Sequence, residues 1–291
     1  MRAQNQAMQG SVDQYAVVGH PVAHSLSPFI HSLFARQTGQ SLSYRLMDVA
    51  PESFVERVGE FFAGGGRGVN ITLPHKTRAM ALASELTERA RLAGAVNTLA
   101  ARRDGTLLGD NTDGAGLVQD LTGNIGVTVK KRSVLLIGAG GAARGVIAPL
   151  LALAPRRIVV ANRTAERAVA LAAVFAGLGA VEGCGFADLG EESFDLIINA
   201  TSASLTGELP AVPARAFGRD TLCYDMAYGR ADTPFVRWAC ELGCREAVPG
   251  WGMLVEQAAE SFRLWRGVRP LTAPVLAALT GRSAPAAGRA G

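Results

Sequence analysis

Short apolar runs alternate with longer helix-like stretches along most of this chain, which is the pattern of an α/β protein. In the second half, three runs too short for helices, at 134–137, 158–161 and 194–200, predict buried parallel strands. The stretches 142–154 and 165–176 are long enough for helices. The alternation therefore predicts consecutive βαβ units, continued by a fourth strand at 221–226, a helix at 234–242 and a short strand at 247–248.

The first half shows the same alternation with one hairpin added. Asp104-Gly105 between two apolar runs predicts a turn that joins antiparallel strands. Strands are predicted at 15–19, 42–49, 68–73, 94–101 and 106–109, and helices at 28–38, 51–62, 85–93, 114–122 and directly after Pro74. A last helix at 253–265 follows a turn at 249–252, and we expect loose tails up to residue 12 and after residue 280.

The glycine-rich turn after the strand at 134–137 is the strongest single signal. Gly138 and Gly140 fit the first two positions of the GxGxxG pattern, and Ala143 takes the third, which the pattern allows. Glycines at such a turn let the backbone approach a pyrophosphate, and the helix N-terminus offers free N–H groups to it. The order strand, turn, helix, strand therefore favours a dinucleotide site over a merely structural turn.

The end of the next strand indicates which dinucleotide is bound. An NAD site places a carboxylate there for the ribose 2′-hydroxyl, but no carboxylate lies between residues 158 and 164. The strand runs instead into Asn162, Arg163 and Thr164, with Arg167 close behind. Because a guanidinium can bind a 2′-phosphate by paired charge-assisted hydrogen bonds, we expect NADP rather than NAD.

Polar residues stand out at three places in the first half. Ser25 and Ser27 precede a proline-started helix, for which Ser27 is the expected cap. Lys76 falls in the first turn of the helix predicted after Pro74, where the helix dipole disfavours a cation and should lower the lysine pKa. The string DNTD at 110–113 joins two apolar elements. Plain capping, an exposed lysine and a turn cluster remain the alternatives to a site.

Composition narrows the classes of function. The 291 residues carry a formal net charge of +4 with no lysine- or arginine-rich run, so no nucleic-acid partner is expected. Four cysteines without a CxxC pair, and no histidine after His75, predict neither a zinc site nor a disulfide framework. We expect His75 itself to be packed or exposed. No apolar run reaches membrane-spanning length and no export signal is evident, so we expect a cytoplasmic protein without a membrane partner.

Nine motifs, in order and with ordinary spacing over residues 15–279, resemble those of the shikimate dehydrogenase family. They are the segment 15–28, NITLPHK (70–76), AGAVNTL (93–99), GDNTDGAG (109–116), GAGGAAR (138–144), NRTAER (162–167), DLIINATS (195–202), YDMAY (224–228) and GMLVEQAA (252–259). No single one is decisive, but nine in register are very specific.

The resemblance implies an oxidoreductase that reduces 3-dehydroshikimate to shikimate with NADPH, in the shikimate pathway of aromatic amino-acid and chorismate biosynthesis. It implies an N-terminal α/β substrate domain, a Rossmann-type NADP-binding domain, and C-terminal helices that return to the first domain. The substrate domain would be 1–113, completed by 249–291, and the cofactor domain would be 114–248. A small-molecule substrate is the expected partner, for either a monomer or a homodimer.

The resemblance also implies roles for particular residues. Lys76 and Asp113 match the family's catalytic pair: Lys76 would protonate or stabilise the alkoxide that forms at the C3 carbonyl, and Asp113 would hold Lys76 and a substrate hydroxyl. The residues expected to meet the substrate are Ser25, Ser27, Thr72, Lys76, Asn97, Asp113, Tyr228 and Gln257. Those expected to meet the cofactor are Gly138, Ala139, Gly140, Gly141, Ala142, Ala143, Asn162, Arg163, Thr164 and Arg167, with Thr201, Met226 and Gly250 on the nicotinamide side.

Three alternatives stand beside this assignment. A quinate/shikimate dehydrogenase that uses NAD would prefer an acid at the strand end near Arg163, and none lies between residues 158 and 164. A non-catalytic, NADPH-binding regulatory relative would be expected to lose the lysine–aspartate pair, which is present. A folate enzyme of similar layout is disfavoured by the substrate-side serines and the NTDG string.

Overall fold

Two six-stranded sheets form the framework of the protein in a computed structural model, which describes residues 12–201, 203, 207–229 and 231–281. Helices pack against both sheets, and this confirms the predicted α/β class with a Rossmann-type second half. The two tails predicted to be loose, up to residue 12 and after residue 280, lie outside the described residues apart from Val12 and Gly281.

The first sheet is mixed. Its strands are β1 (Asp13–Gly19), β2 (Leu42–Asp48), β3 (Gly66–Ile71), β4 (Glu85–Leu86), β5 (Thr98–Ala101) and β6 (Leu107–Asp110), in the order β2-β1-β3-β5-β6-β4. β1 is parallel to β2 and β3, whereas β5 is antiparallel to β3 and β6. The helices of this half are α1 (Ser27–Thr38), α2 (Phe54–Ala63), α3 (Glu88–Ala93) and α4 (Asp113–Gln119), and α4 continues into a π-helical segment, Asp120–Asn124.

The second sheet is parallel. Its strands are β7 (Ser133–Ile137), β8 (Arg157–Asn162), β9 (Val181–Gly185), β10 (Phe194–Asn199), β11 (Phe217–Asp225) and β12 (Glu246–Pro249), in the order β12-β11-β10-β7-β8-β9. Its helices include α5 (Gly141–Leu151), α6 (Ala165–Phe175) and α7 (Pro234–Glu241). This is the doubly wound order, which reverses direction between β7 and β10 and opens a crevice at their carboxyl ends.

Two C-terminal helices, α8 (Trp251–Arg266) and α9 (Ala273–Thr280), follow the second sheet. Helix α8 returns to the first sheet, where the Trp265 indole N–H donates to the Leu99 carbonyl of β5 at 3.0 Å. A Cβ at Gly68 of β3 would overlap the same indole ring, so the strand and the helix meet closely there. This return is the arrangement that the family resemblance implies.

The degree of burial explains why some strands of the second sheet are predicted from the sequence and others are not. All five residues of β7 are buried, and β8 and β10 are nearly so, because helices cover both faces of a parallel sheet. The edge strand β9 has the sequence VEGCG with one buried residue, and it was not predicted because it has no apolar run. Helix α9 was also missed, although Pro274 in its first turn is a start signal.

Several predicted boundaries are wrong. Residues 85–86 are strand β4 rather than helix, because Thr87 ends the extended segment and caps α3 by accepting the Ala90 N–H at 3.2 Å. The segment 51–53 forms a short 3₁₀ turn ahead of α2, and α5 ends at Leu151 instead of residue 154. Trp251 and Gly252, predicted as a turn, already belong to α8.

A buried ion pair fastens α3 to the end of β6. The carboxylate of Asp110, 1% exposed, receives hydrogen bonds from two nitrogens of Arg89 and from the Thr87 hydroxyl at 2.6 Å. Burial raises the pKa of Asp110, but the hydrogen bonds and charge of Arg89 outweigh burial, so the pKa lies below its ordinary value of 3.8.

We expect Asp110 to make stability depend on acid pH. Because its folded pKa lies below its unfolded pKa, its contribution is complete above the unfolded value and is lost as the pH falls through the folded one. Asp110→Asn should lower the free energy of unfolding at neutral pH by about 3 kcal/mol, and this difference should shrink below about pH 4. Denaturant unfolding of both proteins across this pH range measures it.

Glu85→Gln is the matched control, because it removes an exposed ion pair with Arg102, whose atoms lie 2.7 Å apart. Exposed pairs contribute little, so this variant should differ far less from the wild type at every pH. An Asp110→Asn difference that stays constant down to pH 3 would contradict the prediction.

Candidate active site

Most predicted site residues lie just beyond the carboxyl ends of strands. Thr72 and Lys76 follow β3, Asp113 follows β6, Gly138 follows β7 and Thr201 follows β10. Ligands of open α/β sheets bind beyond these ends. Gln257 differs, since it comes from α8, the helix that returns to the first sheet.

Lys76 and Asp113 form an ion pair. The Lys76 ammonium donates to Oδ2 of Asp113 at 2.6 Å, and their side chains are 29% and 13% exposed. The pair is therefore sheltered but reachable from solvent. The structure brings together the two residues that the resemblance implies to be catalytic.

Asn97 holds the other side of the carboxylate. Its amide donates to Oδ1 of Asp113 at 2.8 Å and to the Thr112 hydroxyl at 2.9 Å, while its own oxygen accepts the Thr112 N–H at 2.9 Å. The amide is thus oriented by two contacts to Thr112. Asp113 consequently has Lys76 on one oxygen and Asn97 on the other.

The environment predicted for Lys76 is wrong in one respect. Lys76 lies in a turn, and only a short 3₁₀ helix, Arg78–Leu82, follows it, so there is no α-helix dipole of the predicted kind. Its neighbour His75 is buried, stacks on Phe54 with ring centroids 4.4 Å apart, and bonds the Val49 carbonyl at 2.7 Å. Burial lowers the pKa of His75, and the residue is packed, as predicted.

The DNTD string divides into structural and site residues. Asp110 is taken by the ion pair that anchors α3, and the Asn111 amide donates to the Ala95 carbonyl at 3.1 Å. Thr112 and Asp113 instead face Asn97. The turn-cluster interpretation therefore describes Asp110 and Asn111, whereas Thr112 and Asp113 lie with Asn97, another of the predicted site residues.

The two serines form a separate pair beside α1. The Ser25 hydroxyl donates to that of Ser27 at 3.2 Å and accepts the Ser27 N–H at 3.3 Å. The predicted capping role of Ser27 is wrong, because the helix already includes Ser27 and its N-cap, Leu26, makes no side-chain cap bond. Both hydroxyls lie at the N-terminal end of α1.

Gln257 reaches the site because α4 and α8 approach closely. A Cβ at Gly116 would lie 2.7 Å from the Gln257 backbone nitrogen. The Gln257 amide donates to Leu254 O at 2.8 Å, and its oxygen lies 3.5 Å from the Thr112 hydroxyl. Tyr228 contacts Trp251 at the start of α8, with the ring centroids 4.9 Å apart, and burial raises the pKa of Tyr228.

A buried polar layer beneath these residues was missed by sequence reasoning. The Asn70 amide donates to the Ser261 hydroxyl at 2.9 Å, and its oxygen accepts the Tyr44 hydroxyl at 2.7 Å. Ser261 also lies 3.3 Å from the Thr112 hydroxyl, which connects the layer to the site. The available signal was an asparagine inside the apolar strand GVNITL.

The glycine turn after β7 has an open backbone. Gly138 has φ 104°, a conformation that favours glycine, and its N–H donates to Ala161 O at 2.8 Å. No atom lies within 4 Å of a Cβ placed at Gly140 or Gly141. Ala142 and Ala143 complete the first turn of α5, and Ala139 precedes Gly140. The space beside these two glycines is thus open, as the close approach of a pyrophosphate to the turn requires.

The end of β8 carries unpaired positive charge. Arg163, Thr164 and Arg167 are exposed, and the Asn162 amide holds the Thr164 carbonyl at 2.9 Å. Within the part of the chain that the structure describes, neither arginine has an ion-pair partner. The residues present therefore fit a 2′-phosphate.

Thr201, Met226 and Gly250 meet beside the glycine turn. A Cβ at Gly138 would lie 3.0 Å from the Thr201 methyl group, and one at Gly250 would lie 2.6 Å from the Met226 carbonyl. The Met226 N–H also bonds the Asn199 carbonyl at 3.0 Å. These three residues thus lie just beyond the carboxyl ends of the neighbouring strands β10, β11 and β12.

Neither a metal-binding group nor a membrane-spanning helix is found in the described ranges. No group of three or more acidic, histidine or cysteine side chains there could hold a metal ion. None of the helices in these ranges is long and apolar enough to cross a membrane.

Comparison with known proteins agrees with this geometry. Family models match at residues 17–99 (shikimate dehydrogenase substrate binding domain), 120–208 (shikimate / quinate 5-dehydrogenase) and 250–280 (shikimate 5′-dehydrogenase C-terminal domain). The chain is 55% identical to shikimate dehydrogenase (NADP(+)) of Methylococcus capsulatus, over 92% of this chain and 96% of that one. It is 57% identical to the protein of the same name from Aeromonas hydrophila, over 91% and 96%.

A solved structure supports the same relationship. Shikimate 5-dehydrogenase from Thermus thermophilus, in complex with NADP(H) and shikimate, superposes with a TM-score of 0.82 and is 34% identical, over 91% of this chain and 98% of that one. On its sequence, its two sheets and these relatives, the chain belongs to the shikimate dehydrogenase family.

Proposed function

We propose that this protein reduces 3-dehydroshikimate to shikimate with NADPH, reversibly, and that Lys76 and Asp113 are its catalytic pair. The observation that carries the proposal is the ion pair between these side chains, at 2.6 Å, beside Asn97 and beyond the carboxyl end of β3. The reaction is proposed from the relatives named shikimate dehydrogenase (NADP(+)), and the unpaired arginines after β8 support NADP as the cofactor.

The cofactor would lie along the second sheet. The open turn Gly138–Ala143 would hold its pyrophosphate, and Asn162, Arg163, Thr164 and Arg167 would hold its 2′-phosphate. Thr201, Met226 and Gly250 would line the nicotinamide side. When bound, NADPH supplies the hydride that reduces the carbonyl carbon of the substrate.

Lys76 would donate a hydrogen bond, and then a proton, to the carbonyl oxygen of the substrate. Its ammonium has three hydrogens, one of which is held by Asp113, so two remain for the substrate. As the carbonyl is reduced, Lys76 would donate a proton to the developing alkoxide, and its partial exposure allows it to regain a proton from solvent. Asp113, oriented by Asn97, would hold Lys76 in place and accept a substrate hydroxyl.

The remaining predicted residues would orient the substrate. Ser25 and Ser27 present paired hydroxyls suited to a carboxylate, while Thr72, Asn97, Tyr228 and Gln257 would bind the ring hydroxyls. We place the domain boundaries at 113/114 and 248/249, since α4 begins at Asp113 and leads away from the first sheet, and α8 returns to it. The substrate and cofactor sites then meet where these boundaries fall.

The direct test of the function is an absorbance assay of the purified protein with shikimate and NADP. Parallel assays replace NADP with NAD, and shikimate with quinate. We expect reduction of NADP that requires shikimate. Faster turnover with NAD or quinate would favour the quinate-type alternative, and no turnover in a folded protein that binds NADPH would favour the regulatory one.

Lys76→Ala should lower kcat by about 10² to 10⁴, because general acid catalysis and alkoxide stabilisation are both lost. The dissociation constant of NADPH, measured by fluorescence titration without substrate, should stay within about twofold, since Lys76 follows β3 of the first sheet and the proposed cofactor site lies along the second. Lys130→Ala, at an exposed lysine, is the control and should match the wild type. Equal losses of turnover and NADPH binding would make Lys76 structural.

Arg163→Ala should raise the KM for NADPH by about 10- to 100-fold, because a charge-assisted hydrogen bond to phosphate contributes roughly 1.5–3 kcal/mol. The KM for NADH, which lacks the 2′-phosphate, should barely change. Arg103→Ala removes an exposed arginine of the β5–β6 hairpin and serves as the control. Equal effects on NADPH and NADH would reject a 2′-phosphate role for Arg163.

A further inference from the structure

A buried carboxylate lies where α4 gives way to the π-helical segment Asp120–Asn124. Asp120 is 3% exposed, and its two oxygens accept hydrogen bonds from the Tyr224 hydroxyl at 2.7 Å and from the Asn124 amide at 2.9 Å. Tyr224 lies on β11 and is fully buried. The bond to Tyr224 therefore joins the π-helical segment to the second sheet.

The same segment also holds the start of α8. The Asn124 amide donates its second hydrogen to Glu256 at 3.0 Å, and Glu256 directly precedes Gln257. A Cβ at Gly252, in the first turn of α8, would overlap the Asp120 carboxylate, so helix and carboxylate meet without space between them. Asp120 and Asn124 thus fix the turn of α8 that carries Gln257.

The two attachments lead to the cofactor part and to the substrate part of the proposed site. Tyr224 stands two residues before Met226, whose N–H is bonded to β10 at the nicotinamide side. Glu256 stands one residue before Gln257, beside Thr112 on the substrate side. Asp120 therefore contacts two elements: the strand β11, whose end would face the nicotinamide, and the first turns of α8, which would face the substrate.

The carboxylates of this cluster act only as hydrogen-bond acceptors. Both Tyr224 and Asn124 donate to Asp120, and Asn124 donates again to Glu256, which is also paired with Arg269 at 2.6 Å. Burial raises the pKa of Asp120 above its ordinary value despite these hydrogen bonds, so the carboxylate is held at an energetic cost. An apolar side chain would avoid that cost but could not receive both donors.

We propose that Asp120 and Tyr224 are positioning residues for the reaction, because their hydrogen bond holds Gln257 and Met226 at a fixed separation. The inference rests on the proposed function. A substrate held by α8 and a nicotinamide held by β11 meet in reacting geometry only if the two elements keep their relative position, and small misplacements are costly to the rate. Neither residue touches a reactant.

The test compares Tyr224→Phe with Tyr15→Phe. Both remove one hydroxyl from a buried tyrosine; the Tyr15 hydroxyl accepts from Arg266 at 3.3 Å, outside the proposed site. Tyr224→Phe should lower the single-turnover rate of NADPH oxidation, measured by rapid mixing with 3-dehydroshikimate, by about 10-fold. The dissociation constants of NADPH and of shikimate, each measured alone, should stay within about twofold. Tyr15→Phe should keep the wild-type rate.

Asp120→Asn is the second variant and should lower the rate further, because its NH₂ group would face a donor. The single-turnover rate of the double variant should be about as low as that of Asp120→Asn alone, because both substitutions break the same hydrogen bond. If Asp120→Asn does not fold, Tyr224→Phe decides the matter by itself.

Two outcomes would overturn the inference. A wild-type single-turnover rate in Tyr224→Phe, with only a lower unfolding temperature, would make the bond merely structural. Weaker binding of the separate ligands, in proportion to the lost rate, would mean that the pair builds a binding site instead of relating two. An inactive wild-type protein would reject the proposed function instead, so that assay comes first.

Discussion

The close packing of α4 between α5 and α8 is the constraint on which both halves of the site depend. A Cβ at Gly114 would lie 2.5 Å from the Gly145 carbonyl of α5, and one at Gly116 would lie 2.7 Å from the Gln257 nitrogen of α8. Helix α4 therefore has no room for a side chain at Gly114, where it meets α5, or at Gly116, where it meets α8. Because α4 begins at Asp113, this packing sets where the proposed catalytic carboxylate stands relative to the cofactor-binding sheet.

The two parts of the proposed site, a substrate side and a cofactor side, differ in how firmly their side chains are held. On the substrate side, Asn97 and Thr112 are buried and bonded to one another, so the surroundings of Asp113 are rigid before any ligand arrives. On the cofactor side, the glycine turn is open and Arg163 is exposed to water. An exposed arginine is stabilised by water until a phosphate binds. A group that polarises a carbonyl must already have the correct orientation when the substrate binds, because reorienting it would raise the barrier of the reaction.

The sequence predicted the fold well where burial leaves a periodic trace. The central strands β7, β8 and β10 were all predicted, and each is nearly fully buried. Strand β9 at the sheet edge and the two-residue β4 were missed, because neither carries enough apolar residues to show a pattern. Their pairing partners, rather than their own side chains, make them strands.

By itself, the sequence determined the βαβ unit, the glycine turn and the preference for NADP, because each depends on residues that are neighbours along the chain. The pairing of Lys76 with Asp113, 37 residues away, was expected only through the family resemblance, and only the tertiary structure decided that Lys76 lies in a turn and that Asp120 meets Tyr224, 104 residues away. It also separated Asp110, an anchor of α3, from Asp113 in the same short string. Contacts of this kind arise when sheets and helices pack, and no local pattern of residues records them.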